Sequence, residues 1–118
     1  MKFLCLIYHD EDELGALPQS EYDALVSESL ALDEELKRTG RGIAAEALQS
    51  ARTAATLRMR NGKTTITDGP FAETKEQVGG FFLIDAGSLE EAVGIAARIP
   101  GLRVGTVEVR PINDLRAP

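Results

Sequence analysis

The stretch that decides the fold reads Thr67-Asp68-Gly69-Pro70-Phe71-Ala72-Glu73-Thr74-Lys75-Glu76 and is followed by Gly79-Gly80-Phe81-Phe82-Leu83-Ile84. An acidic residue before Gly-Pro forms turns readily, because its carboxylate can accept backbone N–H groups and proline presets the backbone dihedral φ. The apolar run after the glycine pair predicts a buried strand over residues 79–85. The stretch is therefore a turn that delivers the chain into the core.

A hairpin precedes this turn. Residues 53–60 alternate polar and apolar side chains, and residues 63–67 form a second run rich in threonine. Asn61-Gly62 lies between the two runs and is a strong signal for a two-residue hairpin turn. The pattern predicts two antiparallel strands that lead straight to Asp68.

The N-terminal third predicts a strand, a long helix and a second strand. Residues 2–8 are apolar almost without interruption, which favours a central strand covered on both faces. A charged loop over residues 9–13 follows, and Ser20 is the predicted N-cap of a helix ending at Thr39-Gly40. The predicted helix has one apolar stripe and one solvent side, and residues 42–48 after it are predicted to form a strand. The stripe comprises Tyr22, Leu25, Val26, Leu32 and Leu36, and the solvent side comprises Asp33, Glu34, Lys37 and Arg38.

The C-terminal part predicts a second helix and a last strand. Ser88-Leu89-Glu90-Glu91 is a capping box, in which the serine and the glutamate satisfy free backbone N–H groups at the helix start. Pro100-Gly101 ends this helix. Residues 103–110 alternate with a period of two, which predicts a strand that ends at Pro111.

Strand, helix, strand, hairpin, strand, helix, strand is the order of an α+β, ferredoxin-like split βαβ fold with an inserted β-hairpin. Residues 1–118 are predicted to form one domain, with both helices on one face of the sheet. The other face of the sheet is left uncovered in a monomer. The strands predicted over residues 2–8 and 79–85 nevertheless have apolar side chains on both faces. We therefore expect a homodimer, a dimeric α+β barrel in which two chains cover each other's sheets.

Charge and composition restrict the classes of binding partner and the cellular location that we expect for the protein. The 118 residues carry a net charge of −6 with a pI near 4.8, which argues against nucleic acid and acidic membrane surfaces as partners. No apolar run approaches the roughly 20 residues that span a bilayer, so the protein is expected to be cytoplasmic. The single cysteine, Cys5, allows no internal disulfide and sits in a buried run.

The sequence resembles the DGPF-domain branch of the YCII-related proteins. The similarity rests on residues 67–77, Gly79-Gly80-Phe81, residues 96–100 and residues 105–111, together with the opening Leu6-Ile7-Tyr8. It covers nearly the whole chain and implies a dimeric α+β barrel of ferredoxin-like topology. It also implies a His-Asp pair in the wider superfamily, one member of which acts on a chlorinated aromatic, and frequent genomic association of this branch with alternative sigma factors.

One departure from the resemblance concerns the histidine. The superfamily histidine belongs early in the first long helix, where this chain has Glu21-Tyr22-Asp23. The only histidine here is His9, at the end of the first strand. The superfamily pair therefore does not transfer residue by residue.

The candidate catalytic residues are Asp68, His9 and Tyr8. Asp68 is either a turn former or a general base beside a pocket, and the two roles are compatible. His9 is either a solvated loop residue or a proton-transfer partner, and Tyr8 either packs in the core or presents its hydroxyl to a pocket. No ligand spacing for a metal and no phosphate-binding glycine loop is present, so no cofactor is predicted.

Two functions compete at this point. The first is a homodimeric small-molecule-binding or regulatory module. The second is an enzyme that performs elimination or isomerisation on a polar or aromatic small molecule, with Asp68 as base and His9 or Tyr8 as partner. A third, an accessory protein linked to a sigma factor, rests on the resemblance alone.

Overall fold

A four-stranded antiparallel sheet and a separate two-stranded hairpin form the framework of the computed structural model, which describes residues 1–117. The elements in chain order are β1 (Lys2–His9), α1 (Glu11–Gly15), α2 (Gln19–Arg38), β2 (Gly42–Ala47), β3 (Ala55–Arg60), β4 (Lys63–Asp68), β5 (Gln77–Asp85), α3 (Leu89–Ala96) and β6 (Gly105–Pro111). Short 3₁₀ turns cover Ala51–Thr53 and Pro100–Val104.

The main sheet has the order β2-β5-β1-β6, so the predicted central position of β1 is confirmed. Its two faces differ in what covers them. Phe3 and Cys5 on β1 and Ile84 on β5 share one face and are fully buried. Leu4 and Leu6 lie on the opposite face and are only half-buried. The doubly apolar pattern of β1 is thus real, and one of its faces is open in the single chain.

The core lies between the sheet and its helices. Leu32 and Leu36 at the C-terminal end of α2 and Ala92, Ile95 and Ala96 of α3 are buried with the covered side of the sheet. Burial of these side chains supplies the hydrophobic stabilisation of the fold at roughly 25 cal/mol per Å² of apolar surface. The ferredoxin-like α+β class predicted from the sequence is confirmed.

Several predicted boundaries are wrong. The strand β5 begins at Gln77, two residues before its predicted start, and β3 begins at Ala55 rather than at residue 53, because Ala51–Thr53 forms a 3₁₀ turn. Three further differences have a clear local cause. The charged loop contains the short helix α1, because the Asp10 side chain accepts from the backbone N–H groups of Asp12 and Glu13. Ser20 is not a cap: α2 begins at Gln19, and Pro18 occupies the cap position. The last strand begins at Gly105 rather than at residue 103, because Pro100–Val104 forms a 3₁₀ turn.

The hairpin β3–β4 stands apart from the main sheet. Asn61 and Gly62 at its tip have φ values of 52° and 76°, the left-handed pair expected for this turn. The radius of gyration is 16.2 Å, whereas a compact chain of this length has about 13 to 14 Å. The molecule is accordingly a plate with extents of 49 × 47 × 20 Å. No helix within residues 1–117 is long and apolar enough to cross a membrane.

Candidate ligand cavity

A cavity of about 300 Å³ opens between the N-terminal half of α2 and the covered side of the sheet. It exists because Leu32 and Leu36 anchor only the C-terminal half of α2, while Tyr22 and Val26 remain 42% and 44% exposed. Most of the lining is aliphatic or aromatic. The side chains include Ile7, Leu14, Tyr22, Leu25, Val26, Leu30, Ala45, Ala47, Phe82 and Val104, with His9, Ser29 and Asp33 among them. Such a lining suits an apolar ligand body with a few polar anchors.

His9 is held at the edge of this cavity by a β-bulge. The pairing of β1 with β5 runs from Ile7 opposite Gly80 to Tyr8 opposite Val78, so Gly79 has no partner on β1. The imidazole lies directly over Gly79: a Cβ at this residue would be 2.0 Å from His9 Cε1 and 2.4 Å from Nε2. Only glycine leaves room for the ring, which explains a residue that the sequence alone presents as a weak spot in a strand.

A second cavity, also of about 300 Å³, meets the first around His9. The two share His9, Leu14, Tyr22 and Gly79, whereas Gln49 and Ser50 contribute polar groups to the second. His9 therefore separates an apolar space from a more polar one. A ligand that spans both spaces would pass the imidazole.

Glu11 fixes the wall of the second cavity. Its carboxylate accepts a hydrogen bond from Ser50 Oγ at 2.6 Å and another from the backbone N–H of Ala51 at 2.8 Å. The Ser50 bond, with support from the Ala51 bond and from the charges of Arg52 and His9, lowers the pKa of Glu11. The clamp joins α1 to the segment that enters the hairpin.

Asp33 is a site residue that the sequence reading missed. It was predicted to lie on the solvent side of α2, but it is half-buried and lines the first cavity. Its Oδ2 accepts from Lys37 Nζ at 3.2 Å, one helical turn away. The available signal was spacing, because Tyr22, Val26, Ser29 and Asp33 recur every three or four residues and so share one helix face.

Tyr8 and His9 face opposite sides of the sheet. Tyr8 lies on the open face, where its hydroxyl donates to Glu108 Oε1 at 3.2 Å, and Arg110 donates to the other oxygen of Glu108 at 2.9 Å. Desolvation and the Glu108 charge raise the pKa of Tyr8, while the Arg110 hydrogen bond lowers the pKa of Glu108. Tyr8 lines neither cavity.

Asp68 ends β4 on the hairpin, is exposed, and lines neither cavity. The turn after it is held by other groups, since the Gly69 N–H donates to Ala54 O at 2.7 Å and Thr56 Oγ1 donates to Gly69 O at 2.8 Å. Gly69 has φ of +98°, a conformation that favours glycine. Within one chain, the structure does not bring Asp68, His9 and Tyr8 together.

The charge of the site is one-sided. The described residues that line the two cavities include Asp33, Glu46 and Glu11 but no lysine or arginine. Glu46 is paired with Phe81 on β5, so its side chain points to the open face of the sheet, while its carbonyl oxygen lies 2.9 Å from the place of a Cβ at Gly80. Cys5 is no nucleophile here, since burial raises its pKa to about 11.

The strand order and the two helices on one side of the sheet define an α+β protein of the ferredoxin-like class. The YCII-related domain matches residues 1–116, so the chain belongs to the YCII-related family and the resemblance is confirmed. An uncharacterised protein of Rhizobium meliloti (strain 1021) is 37% identical over 114 residues, which are 95% of this chain and 92% of that protein.

One similar solved structure is an enzyme. It is 5-chloro-2-hydroxyhydroquinone dehydrochlorinase (TftG) from Burkholderia phenoliruptrix AC1100, in complex with 2,5-dihydroxybenzoquinone. The TM-score is 0.54 and the identity 19%, with 96% of this chain and 94% of that chain covered. Similarity at this level shows a shared fold.

Proposed function

We propose that the protein is a cytoplasmic homodimer that binds a small molecule with an apolar body, uncharged or cationic at its polar end. The observation that carries this proposal is the apolar cavity under α2, at whose edge His9 is fixed over Gly79. The volume of about 300 Å³ is at the lower end of ligand pockets.

The charge of the ligand follows from the lining. Asp33 and Glu11 are carboxylates, and the cavities contain no described lysine or arginine that would pair with an anionic group. An anion brought among carboxylates loses hydration without gaining a partner, whereas an alcohol or an amine finds acceptors. The open sheet face, with Leu4 and Leu6 half-buried, supports the homodimer.

The test is calorimetric titration with three compounds that share a phenylethyl body: 2-phenylethylamine, 2-phenylethanol and 3-phenylpropionate. We expect the amine and the alcohol to bind at least tenfold more tightly than the carboxylate. Val26→Trp, which fills the cavity, should abolish binding, and Ala24→Trp on the exposed side of the same helix should not. Failure of all three to saturate the protein would remove the binding proposal, and tightest binding of the carboxylate would remove the charge argument.

A second candidate function is acid–base catalysis of elimination or isomerisation, favoured by the position of His9 between two cavities. Asp68, the base predicted from the sequence, lies on the hairpin, so this mechanism requires Asp68 of one chain to meet His9 of the other. The dehydrochlorinase activity of the enzyme with a similar fold makes chlorinated hydroquinones the first substrates to assay.

Mixed dimers test this mechanism. His9→Gln and Asp68→Asn should each abolish chloride release, and an equal mixture of the two variants should regain about a quarter of the wild-type rate, because half of the dimers have one intact site. A mixture that stays inactive while wild type is active places both residues in one chain's site and contradicts the shared site. Absence of chloride release from wild type contradicts dehydrochlorination of these substrates.

A further inference from the structure

The hairpin β3–β4 exposes an apolar face that its own chain leaves uncovered. Leu57, Met59 and Ile66 are 61%, 71% and 69% exposed, and Leu57 lies directly opposite Ile66 in the register. Neither strand packs extensively against another element within residues 1–117. Large apolar side chains gathered on one projecting element mark an interaction surface rather than a solvated loop.

The two faces of the hairpin have different chemistry. Arg58 alternates with Leu57 and Met59, so it points to the other face, where Arg60 lies opposite Lys63. On that face the Arg58 guanidinium stacks over the Phe71 ring at 4.9 Å from its centroid. The hairpin is therefore amphipathic, with one apolar side and one basic side.

Charge separates the hairpin from the rest of the chain. Residues 55–68 contain Arg58, Arg60, Lys63 and Asp68, a net charge of +2, while the whole chain carries −6. The remainder of the chain thus carries −8. A basic arm and an acidic body of the same protein attract each other across two copies, and this complementarity selects another copy of the chain as partner.

The surface area that a stable dimer must bury also favours a contribution from the hairpin. The open face of the four-stranded sheet covers about 500 Å², from strand spacing and length, which is below the roughly 800 Å² per partner of a stable interface. One face of the hairpin adds about 200 Å², and the surface that the partner's hairpin covers adds about the same again, because each chain both sends an arm and receives one. The total of about 900 Å² per partner then reaches the size of a stable interface. In the chain, the hairpin lies between the edge strand β2 and its neighbour in the sheet, β5, and the 3₁₀ turn Ala51–Thr53 precedes it.

We infer that β3–β4 is an intersubunit arm whose apolar face packs on a second copy of the chain. The inference rests on the proposed homodimer and identifies the element that holds it together. Each arm brings Leu57, Met59 and Ile66 out of water on the partner, and the symmetric partner does the same. The exposure of these side chains in the single chain then has a physical explanation.

The matched variants are two cross-strand pairs on opposite faces of the hairpin. Leu57→Ser with Ile66→Ser removes two of the three large side chains of the apolar face and leaves Met59. Thr56→Ser with Thr67→Ser shortens a directly opposed pair on the other face while keeping both hydroxyls. By sedimentation equilibrium we expect the first double variant to raise the dimer dissociation constant at least a hundredfold and the second to change it less than threefold. Equal dissociation constants for the first variant and wild type would overturn the arm.

Hydrogen exchange of the wild-type protein is a second measurement, and it requires no variant whose folding could be impaired. Amides of residues 55–68 should exchange at least tenfold more slowly above the dissociation constant than below it. If the exchange rate of the hairpin amides does not depend on protein concentration, the arm is contradicted, but a dimer formed by the open sheet faces alone is not. A wild-type protein that is monomeric at every concentration contradicts the homodimer as well, whereas ligand titration reports separately on the cavity.

Discussion

At the scale of single residues, the pair formed by Gly79 and His9 is the most sensitive point of the site. A methyl group at Gly79 must displace the imidazole, because its place lies 2.0 Å from His9 Cε1. We predict that Gly79→Ala folds with a loss of stability under about 1 kcal/mol, since a side chain rather than backbone gives way, but lowers ligand affinity at least tenfold. Calorimetric titration and the imidazole NMR resonances of His9 measure the two effects.

Gly94 in α3 is the matched control for this substitution. A Cβ there meets nothing within 4 Å, and the position lies in a helix. Gly94→Ala should raise the free energy of unfolding by about 0.5 to 1 kcal/mol, the usual gain in helix propensity, and leave ligand affinity unchanged. An unmoved His9 resonance in Gly79→Ala would contradict the contact itself.

The hydrogen-bonded carboxylate of Glu11 makes the free energy of unfolding depend on pH. Its pKa is lower in the folded chain, mainly through the Ser50 hydrogen bond, so its stabilising contribution is present above the unfolded pKa near 4.5. That contribution is lost as pH falls through the lower folded pKa. We predict that Glu11→Gln costs about 1 kcal/mol of unfolding free energy at pH 7, from the charged hydrogen bonds it weakens, and that the cost shrinks towards pH 3.

Urea unfolding of wild type and Glu11→Gln at pH 7, 5 and 3 measures this difference. Glu13→Gln is the control, because Glu13 is an exposed carboxylate on the same short helix. Its effect should stay within about 0.5 kcal/mol at all three pH values. A Glu11→Gln difference that is constant from pH 7 to pH 3 would show that the carboxylate charge is not what the clamp uses.

At the scale of elements, α3 depends on its first turn. Ser88 Oγ accepts from the Glu91 N–H at 3.1 Å, and the Glu91 side chain accepts from the Gly87 N–H at 3.0 Å. The capping box read from the sequence is thus present in its serine half, while the glutamate bonds one residue further upstream. Ser88→Ala should lower the free energy of unfolding by about 1 kcal/mol, and Ser88→Asp should retain most of it. Equal stability of Ser88→Ala and wild type in urea unfolding would contradict this.

The elements that the sequence predicted are those with a local cause. Asn61-Gly62 specifies its own hairpin, and the apolar run of β1 specifies a central strand whatever surrounds it. The missed helix α1 had a local signal as well, because Asp10 is a good N-cap in front of a charged first turn. The 3₁₀ turn at Pro100–Val104 had only a weak one, since alternation continues through residues 103 and 104.

The site was harder to predict because its causes are tertiary. His9 belongs to the cavity only because the bulge at Gly79 makes room for its ring, and register is not visible in one strand alone. Asp33 lies on the cavity side because the N-terminal half of α2 leaves space beside the sheet. Asp68 is conspicuous in the sequence because it belongs to a turn that requires Gly69, which is a local cause. Within one chain, this turn does not bring Asp68 to the cavity.

At the scale of the whole molecule, the plate of 20 Å thickness has one sheet layer and one helix layer and lacks a cover on the open sheet face. If a second copy supplies that cover, unfolding and dissociation are coupled, and the midpoint temperature of unfolding, Tm, depends on protein concentration. Two chains of 118 residues unfold with a large entropy change, so a hundredfold increase in concentration should raise Tm by about 5 °C. Differential scanning calorimetry measures this shift.

The hairpin double variant Leu57→Ser with Ile66→Ser provides the comparison for this shift. In a concentration range where it is monomeric and wild type is dimeric, its Tm should be independent of concentration and lower than that of wild type. A wild-type Tm that changes by less than about 1 °C over the hundredfold range would mean that the open face does not need a partner for stability. The half-buried Leu4 and Leu6 would then be apolar surface that the single chain tolerates in contact with water. The stability of the fold would in that case give no argument for the homodimer.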